Sequence, residues 1–330
     1  MTTVLRLTPD RPERDLIASA AACLRQGGLV AFPTETVYGL GVAAMDAPAV
    51  RRLFAAKGRP ADDPLIVHVA DRGALGPLVA VCPPIVDALA ARFWPGPLTL
   101  VLRRSALVPD EVTAGLDTVA VRVPAHPVAR ALLAAAGIPV AAPSANLFSR
   151  PSPTQAAHVL EDLDGRIDMV LDGGPTQVGV ESTVLDLSGD GPQVLRPGAI
   201  TLEMLRELLP HVRLRGDAPA DGPQRSPGLL SRHYSPRAPL TLYEGAPEAV
   251  VARMRTDVET ARAEGRRVGV LVPDDDVAAL AARLYATLRE FDSAGVDEIF
   301  ARLPPATDGL SAAVADRLRR AAAGRVVRCV

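Results

Sequence analysis

Short apolar runs rich in Val, Leu and Ala alternate along this chain with longer segments whose apolar residues recur at three- and four-residue spacing. A run that is apolar on nearly every residue needs cover on both faces, and the helical segments between the runs supply it. The alternation therefore dictates layered α/β architecture. Residues 29–32, 65–70, 98–102, 118–123, 140–142, 169–172, 182–187 and 194–196 read as strands. Leu16, Ile17, Ala20, Cys23 and Leu24 share one helical face that ends at Gly27-Gly28, and Val50, Leu53 and Phe54 mark a second helix that stops at Lys57-Gly58. Further helices are expected at 85–92, 128–136 and 154–160.

The pattern lapses over 211–239, where Pro, Gly and charge replace apolar periodicity, and resumes with strands at 240–243, 268–272, 298–303 and 326–330 between helices at 247–264, 277–289 and 310–323. The expected organisation is a large mixed α/β domain over 1–210, a linker over 211–239, and a small Rossmann-like parallel domain over 240–330. No G-x-G-x-x-G follows the first strand of the small domain, so a dinucleotide site there is unsupported.

Composition narrows the function classes. The chain has 330 residues, 36 basic against 38 acidic side chains and a net charge of −2, so no global field draws it to nucleic acid. The polar residues 1–14 do not resemble a secretory signal, and no run reaches the length of a membrane span, so a cytoplasmic protein is expected. Cys23, Cys82 and Cys329 are widely spaced and form neither a disulfide framework nor a zinc knuckle, and no metal-ligating residues are assigned. Arg serves almost everywhere a base is needed, yet one Lys, Lys57, and one Asn, Asn146, persist, which points to positions that need those particular shapes.

Polar clusters gather at the ends of the expected strands, where α/β domains collect ligands. PTETVYGLG, starting at Pro33, brings the hydroxyls of Thr34 and Thr36; KGRPADDPLIVHV, starting at Lys57, brings Lys57, Arg59, Asp63 and His68. A compact ammonium beside a forked guanidinium suits a triphosphate, while the plain alternative for both cations is a solvated helix end. His68 lies inside an apolar strand and serves either a cleft or the core. Arg122, inside VAVRVP, needs an anion, which is either a protein carboxylate or the carboxylate of an amino-acid ligand. APSANLFSRPSPT, from Ala142 to Thr154, is rich in hydroxyl, amide and proline, GVESTVLDL places Ser182 and Thr183 at a strand start, and VLRPGAI offers Arg196. There is no Walker loop, G-x-S-x-G elbow or H-E-x-x-H. The carboxylates of Asp62-Asp63 and of 274–276 read as turns.

PTETVYGLG, KGRP with PLIVHV, WPGPLTLVL, VRVPAHP, APSAN, SPT, GVESTV and LRPGAI occur in an order that resembles the YrdC-type threonylcarbamoyl-AMP synthases, over about residues 13–210. SPGLLSRHYSP and GLSAAVADRLRRAA extend the resemblance to that family's longer two-domain branch. The resemblance implies a YrdC-like twisted mixed sheet and a nucleotidyltransferase that converts L-threonine, bicarbonate and ATP to threonylcarbamoyl-AMP and pyrophosphate, with magnesium on the phosphates. A downstream threonylcarbamoyl transferase would then modify tRNA, with at most weak tRNA contact here. By resemblance, Thr36, His68, Arg122, Ala142 and Ser182 surround threonine. Lys57, Arg59, Asp63, Thr118, Ser144, Asn146, Ser152, Arg196 and Tyr234 surround ATP, and Lys57, Arg59 and Arg122 carry the chemistry. Tyr234 lies in the linker, which implies that HYSP folds back as a lid. Two departures stand out: Asp63 replaces a common Asn, and Phe148-Ser149 replaces a more usual Ser-Gly. Two other readings are an RNA-binding module of the same domain type and a carbamoyl-transfer domain, the latter disfavoured by the missing zinc-type cysteine pairs.

Overall fold

The computed structural model describes residues 1–216, 224–226, 233–273, 276–304 and 308–329. Residues 217–223 and 227–232 of the linker, the expected turn at Asp274 and Asp275, and the last residue of the 326–330 strand lie outside the described residues.

Among the described residues, eleven strands form one sheet: β1 (Thr3–Arg6), β2 (Val30–Phe32), β3 (Gly39–Ala43), β4 (Ile66–His68), β5 (Leu98–Arg103), β6 (Thr118–Arg122), β7 (Val140–Ala141), β8 (Met169–Asp172), β9 (Thr183–Asp186), β10 (Gln193–Arg196) and β11 (Arg213–Leu214). Their order is β1-β8-β2-β3-β7-β4-β6-β5-β9-β10-β11, with parallel and antiparallel neighbours mixed. The helices are α1 (Arg14–Arg25), α2 (Ala47–Lys57), α3 (Ile85–Phe93), α4 (Asp110–Thr113), α5 (Pro127–Ala136), α6 (Ala156–Leu163) and α7 (Leu202–Arg206). Local chemistry sets their ends. The Asp46 carboxylate accepts from the Ala49 amide at the start of α2, and Gly58 closes that helix with a φ of 62°.

The two faces of this sheet are covered differently, and that difference makes room for a site. One face packs its Val67, Val121 and Ala141 into a core with Val50, Leu53 and Phe54 of α2 and Val86 and Leu89 of α3. On the other face, α1 and α5 cover β8, β2 and β7 through Ile17, Leu24, Val128 and Leu132. Beyond β7 that second face carries, among the described residues, a small apolar floor of Ile66, Val101, Ala120, Val184 and Leu195. His68 pairs in register with Arg122 on one side and Val140 on the other, so period-two alternation brings His68 and Arg122 onto this floor beside Ile66 and Ala120.

A second, four-stranded sheet is wholly parallel in the order β13-β14-β12-β15, from β12 (Leu240–Gly245), β13 (Val268–Leu271), β14 (Glu298–Arg302) and β15 (Val326–Cys329). Helix α8 (Pro247–Ala263) lies on one face through Val250, Met254 and Val258. Helices α9 (Val277–Ser293) and α10 (Gly309–Ala322) lie on the other, and their apolar cluster also takes in Val37, Val180 and Tyr234 from outside the second sheet. This layer therefore packs on the first sheet's loops as well as on its own strands.

Candidate active site

A cavity opens over the uncovered floor. Thr34, Thr36, His68 and Arg122 line one part of it, and Arg59, Ala142, Ser144, Ser182, Arg196, His233 and Tyr234 complete the wall. Strand ends and loops converge here because each polar run begins where a buried strand stops or starts.

Arg122 is buried, and its charge is met inside the protein. One terminal nitrogen lies 2.7 Å from the Glu35 carboxylate, the other donates to Thr36 Oγ1 at 3.0 Å, and Nε donates to the Gly96 carbonyl at 3.2 Å. Thr36 Oγ1 in turn lies 2.8 Å from Thr34 Oγ1. A guanidinium has five N–H donors, so the fork retains capacity for a ligand carboxylate beside Glu35. The His68 ring meets Phe32 edge-on, and its Nδ1 has no hydrogen-bond partner among the described residues. Burial, with Arg122 alongside, pushes His68 down to about 3, so it is a neutral imidazole at physiological pH.

Elsewhere in the lining, Arg59 pairs with Asp63 at 2.8 Å and donates to the carbonyls of Asp63 and Pro64. The Asp63 carboxyl is raised by burial while Arg59 opposes the shift. Arg196 donates to the Ser182 carbonyl at 3.0 Å and to Ser182 Oγ at 3.2 Å, and Ser182 Oγ also meets Thr99 Oγ1 at 2.8 Å. The chain can come this close because residue 198 is glycine: a β-carbon there would stand 2.4 Å from the Thr183 amide nitrogen and 2.7 Å from the Glu181 carbonyl oxygen.

Several expected residues stand just behind the wall. Lys57 Nζ donates at 2.5 Å to the carbonyls of both Ser144 and Asn146, and burial, then Arg59, lowers its pKa well below the usual lysine range. It anchors the APSAN loop from beneath. The Asn146 amide donates to the carbonyls of Leu147 and Arg150, which curls the following loop. Ser152 donates to Glu181 at 2.5 Å. Thr118 begins β6, at the far end of the strand from Arg122 and two residues before Ala120, the register partner of Ile66.

One described part of the linker borders this cavity. His233, Tyr234 and Ser235 are buried, the Ser235 amide donates to the Ser149 carbonyl at 2.7 Å, and Phe148 meets the His233 ring edge-on. Burial, then Arg59, pushes His233 down to about 3. Arg213–Leu214, inside the stretch read as linker, instead adds β11 to the first sheet beside β10.

Residues 22–198 match the family described as "Telomere recombination" (Sua5, YciO and YrdC), and residues 200–323 match that described as "Threonylcarbamoyl-AMP synthase, C-terminal domain". The chain belongs to this family. It is 47% identical to a Bacillus subtilis protein named threonylcarbamoyl-AMP synthase, with 94% of each chain covered. It is 43% identical to a Pyrococcus abyssi protein of the same name, with 99% of this chain and 100% of that one covered. A crystal structure of P. abyssi Sua5 complexed with L-threonine superposes with a TM-score of 0.95 over 100% of both chains. The likeness thus covers both sheets and their mutual arrangement, which a match to the first sheet alone would not supply.

Glu35, Glu181 and Gly198 complete the site, although none was assigned a role from sequence. Glu181 is the middle of GVESTV and Gly198 of RPGAI, so position in a motif was the available signal. The second sheet's contribution, from Tyr285, Arg289 and Arg317, also went unread. Its signal was an arginine on the apolar stripe of a helix: Arg317 follows Ala313 and Val314 and precedes Leu318 and Ala321, all buried.

Proposed function

We propose that this chain condenses L-threonine, bicarbonate and ATP into threonylcarbamoyl-AMP and pyrophosphate, for N6-threonylcarbamoyladenosine formation in tRNA. The observation that carries the reading is the convergence of Arg122, Arg59 and Arg196 on one cavity, in a chain alike end to end to a protein solved with L-threonine. Two anionic ligands side by side need such a set of fixed cations.

In this reading Arg122 holds the threonine carboxylate, and Thr36, His68, Ala142 and Ser182 surround the rest of the amino acid. The neutral His68 can hydrogen-bond the threonine hydroxyl without adding charge beside Arg122. Arg59, Ser144, Arg196 and Tyr234 face ATP, while Lys57, Asp63, Thr118, Asn146 and Ser152 support that wall. The threonine amine bonds to the bicarbonate carbon with loss of water, and the resulting carbamate presents an oxygen. That oxygen forms a bond to the α-phosphorus as the bond to pyrophosphate breaks. Alignment and charge neutralisation drive such a displacement, and both are built into the cavity wall.

No group of three His, Cys, Asp or Glu side chains among the described residues could hold a metal ion, and Asp63 is engaged by Arg59. Magnesium therefore enters this proposal only as the ion that accompanies the ATP phosphates. The domain limits 1–210, 211–239 and 240–330, a cytoplasmic setting, transfer of the product to a tRNA-modifying threonylcarbamoyl transferase and weak tRNA contact belong to the same proposal.

Purified protein incubated with ATP, labelled bicarbonate and single amino acids tests it. Pyrophosphate release and label incorporation should both depend on threonine; release that proceeds equally without an amino acid would overturn the reading.

A further inference from the structure

Glu181 sits at the junction of the two sheets. It is buried, it borders the cavity, and its two oxygens face different parts of the chain. Oε1 accepts from Ser152 Oγ at 2.5 Å. Oε2 accepts from Tyr285 Oη of α9 at 2.9 Å and from Arg317 Nε of α10 at 2.7 Å. Arg317 is fully buried, and its remaining nitrogens donate to Asp316 at 2.6 Å and to the Pro197 carbonyl at 3.1 Å. Its guanidinium also lies 5.4 Å from the Tyr234 ring centroid, and that ring stands 5.5 Å from the Tyr285 ring. One arginine of the second sheet therefore touches the Glu181 loop, the Arg196-Pro197 segment and the lid tyrosine together.

The backbone confirms how close the approach is: a β-carbon at Gly179, whose φ is 76°, would lie 2.3 Å from the Ala281 carbonyl oxygen of α9. Burial would raise the Glu181 carboxyl, but Arg317, Arg196 and the Ser152 hydroxyl outweigh it and hold the group down to about 2. Glu181 is thus a permanent anion at the edge of a site that must attract anions. Without Arg317 it would draw more heavily on Arg196 and compete with a phosphate for that cation.

We infer that α9 and α10 are a working part of the nucleotide site: Tyr285 and Arg317 are positioning residues that occupy Glu181 and so hold Ser152, Arg196 and Tyr234 in place for ATP. The inference rests on the function proposed above, and it assigns the second sheet a role toward one substrate, ATP, and not toward threonine.

The test uses the full-length protein. Pyrophosphate release is measured against ATP and against threonine separately, binding of a non-hydrolysable ATP analogue is measured by calorimetry, and melting is followed in parallel. Arg317→Met should raise KM for ATP about tenfold, the scale set by one charge-assisted hydrogen bond, and leave KM for threonine within about twofold. Arg317→Lys should recover part of the loss, because one ammonium reaches Glu181 but cannot also reach Pro197. Tyr285→Phe, which keeps the Arg317 pair, should raise KM for ATP about threefold with little change in melting. Folded variants that bind the analogue as tightly as the parent, or that lose both substrates equally, would overturn the inference; if Arg317→Met does not fold, Tyr285→Phe decides. Should the parent release no pyrophosphate in response to threonine while analogue binding still weakens in these variants, the proposed function fails and the positioning role stands.

Discussion

In the first sheet, Arg59 and Arg122 pair with carboxylates of the same unit, Asp63 at 2.8 Å and Glu35 at 2.7 Å, on the border of a cavity. In the second, Arg289 and Arg317 leave their own helices and pair with Asp162 and Glu181 of the first unit, each at 2.7 Å, with almost no exposure. Both sets bear the desolvation cost of a buried guanidinium. The first set lines the cavity, while the second spends its donors largely on joining the units. Burying a charge can thus build a binding wall or fix the arrangement of two layers, depending on what lies on the open side of the guanidinium.

The largest expected effects come from breaking one pair of each kind. Arg122→Met should cost about 3–5 kcal/mol of stability because it strands the buried Glu35 carboxylate, and Arg289→Met should cost less because Arg150 still pairs with Asp162. Only Arg122→Met should abolish threonine-dependent turnover, with urea denaturation and pyrophosphate release as readouts. Equal loss of threonine affinity in Arg289→Met would erase the distinction.

Acid probes the comparison next. The usual histidine value is 6.5, and both His68 and His233 are held down to about 3 in the fold. Below pH 6.5 the unfolded chain binds protons that the folded chain refuses until about pH 3. The sign follows directly: their contribution is complete above pH 6.5 and is lost as pH falls toward 3. The slope should be on the order of 1 kcal/mol per pH unit for each histidine. Urea midpoints between neutral and mildly acidic pH should fall, and His68→Gln should flatten the fall more than His233→Gln. His68 lies in a strand, whereas His233 can protonate through local release of its segment.

Two glycines sharpen the contrast at smaller cost. Gly198→Ala drives a β-carbon into the Thr183 backbone within the first unit, and Gly179→Ala drives one into α9. Each should cost about 1–3 kcal/mol. Affinity for both substrates should drop in Gly198→Ala but only that for ATP in Gly179→Ala, as measured by the two KM values. The smallest effect is a gain. Ser149 adopts a φ of 68° where the resemblance expects glycine, so Ser149→Gly should stabilise by about 0.5–1 kcal/mol in a denaturant titration.

The strand runs were legible because a strand buried on both faces is largely apolar, as β2 is throughout. Some elements left no such mark. β1 and β11 are largely exposed, and β3 contains two glycines within its five residues, so each takes its conformation from the neighbour it pairs with. In the site, polar runs at strand ends marked where ligand groups would gather. The division of labour inside those runs was not marked. Lys57 reads as a phosphate contact by charge, yet its ammonium holds two carbonyls of the APSAN loop. Asp63, an extra negative charge in the sequence, is the partner of Arg59.

Periodicity and turn chemistry, both local, were enough to determine two α/β layers, the helix ends and the polar loops that border a site. Tertiary structure alone decided which carboxylates Arg122 and Arg317 meet, since those pairs join residues far apart in the chain: Arg122 with Glu35, and Arg317 with Glu181, which lie 136 positions apart. The physical reason is that a buried charge takes its partner from whatever the packing of layers brings within about 3 Å, and the sequence records the need for a partner without recording which one it will be.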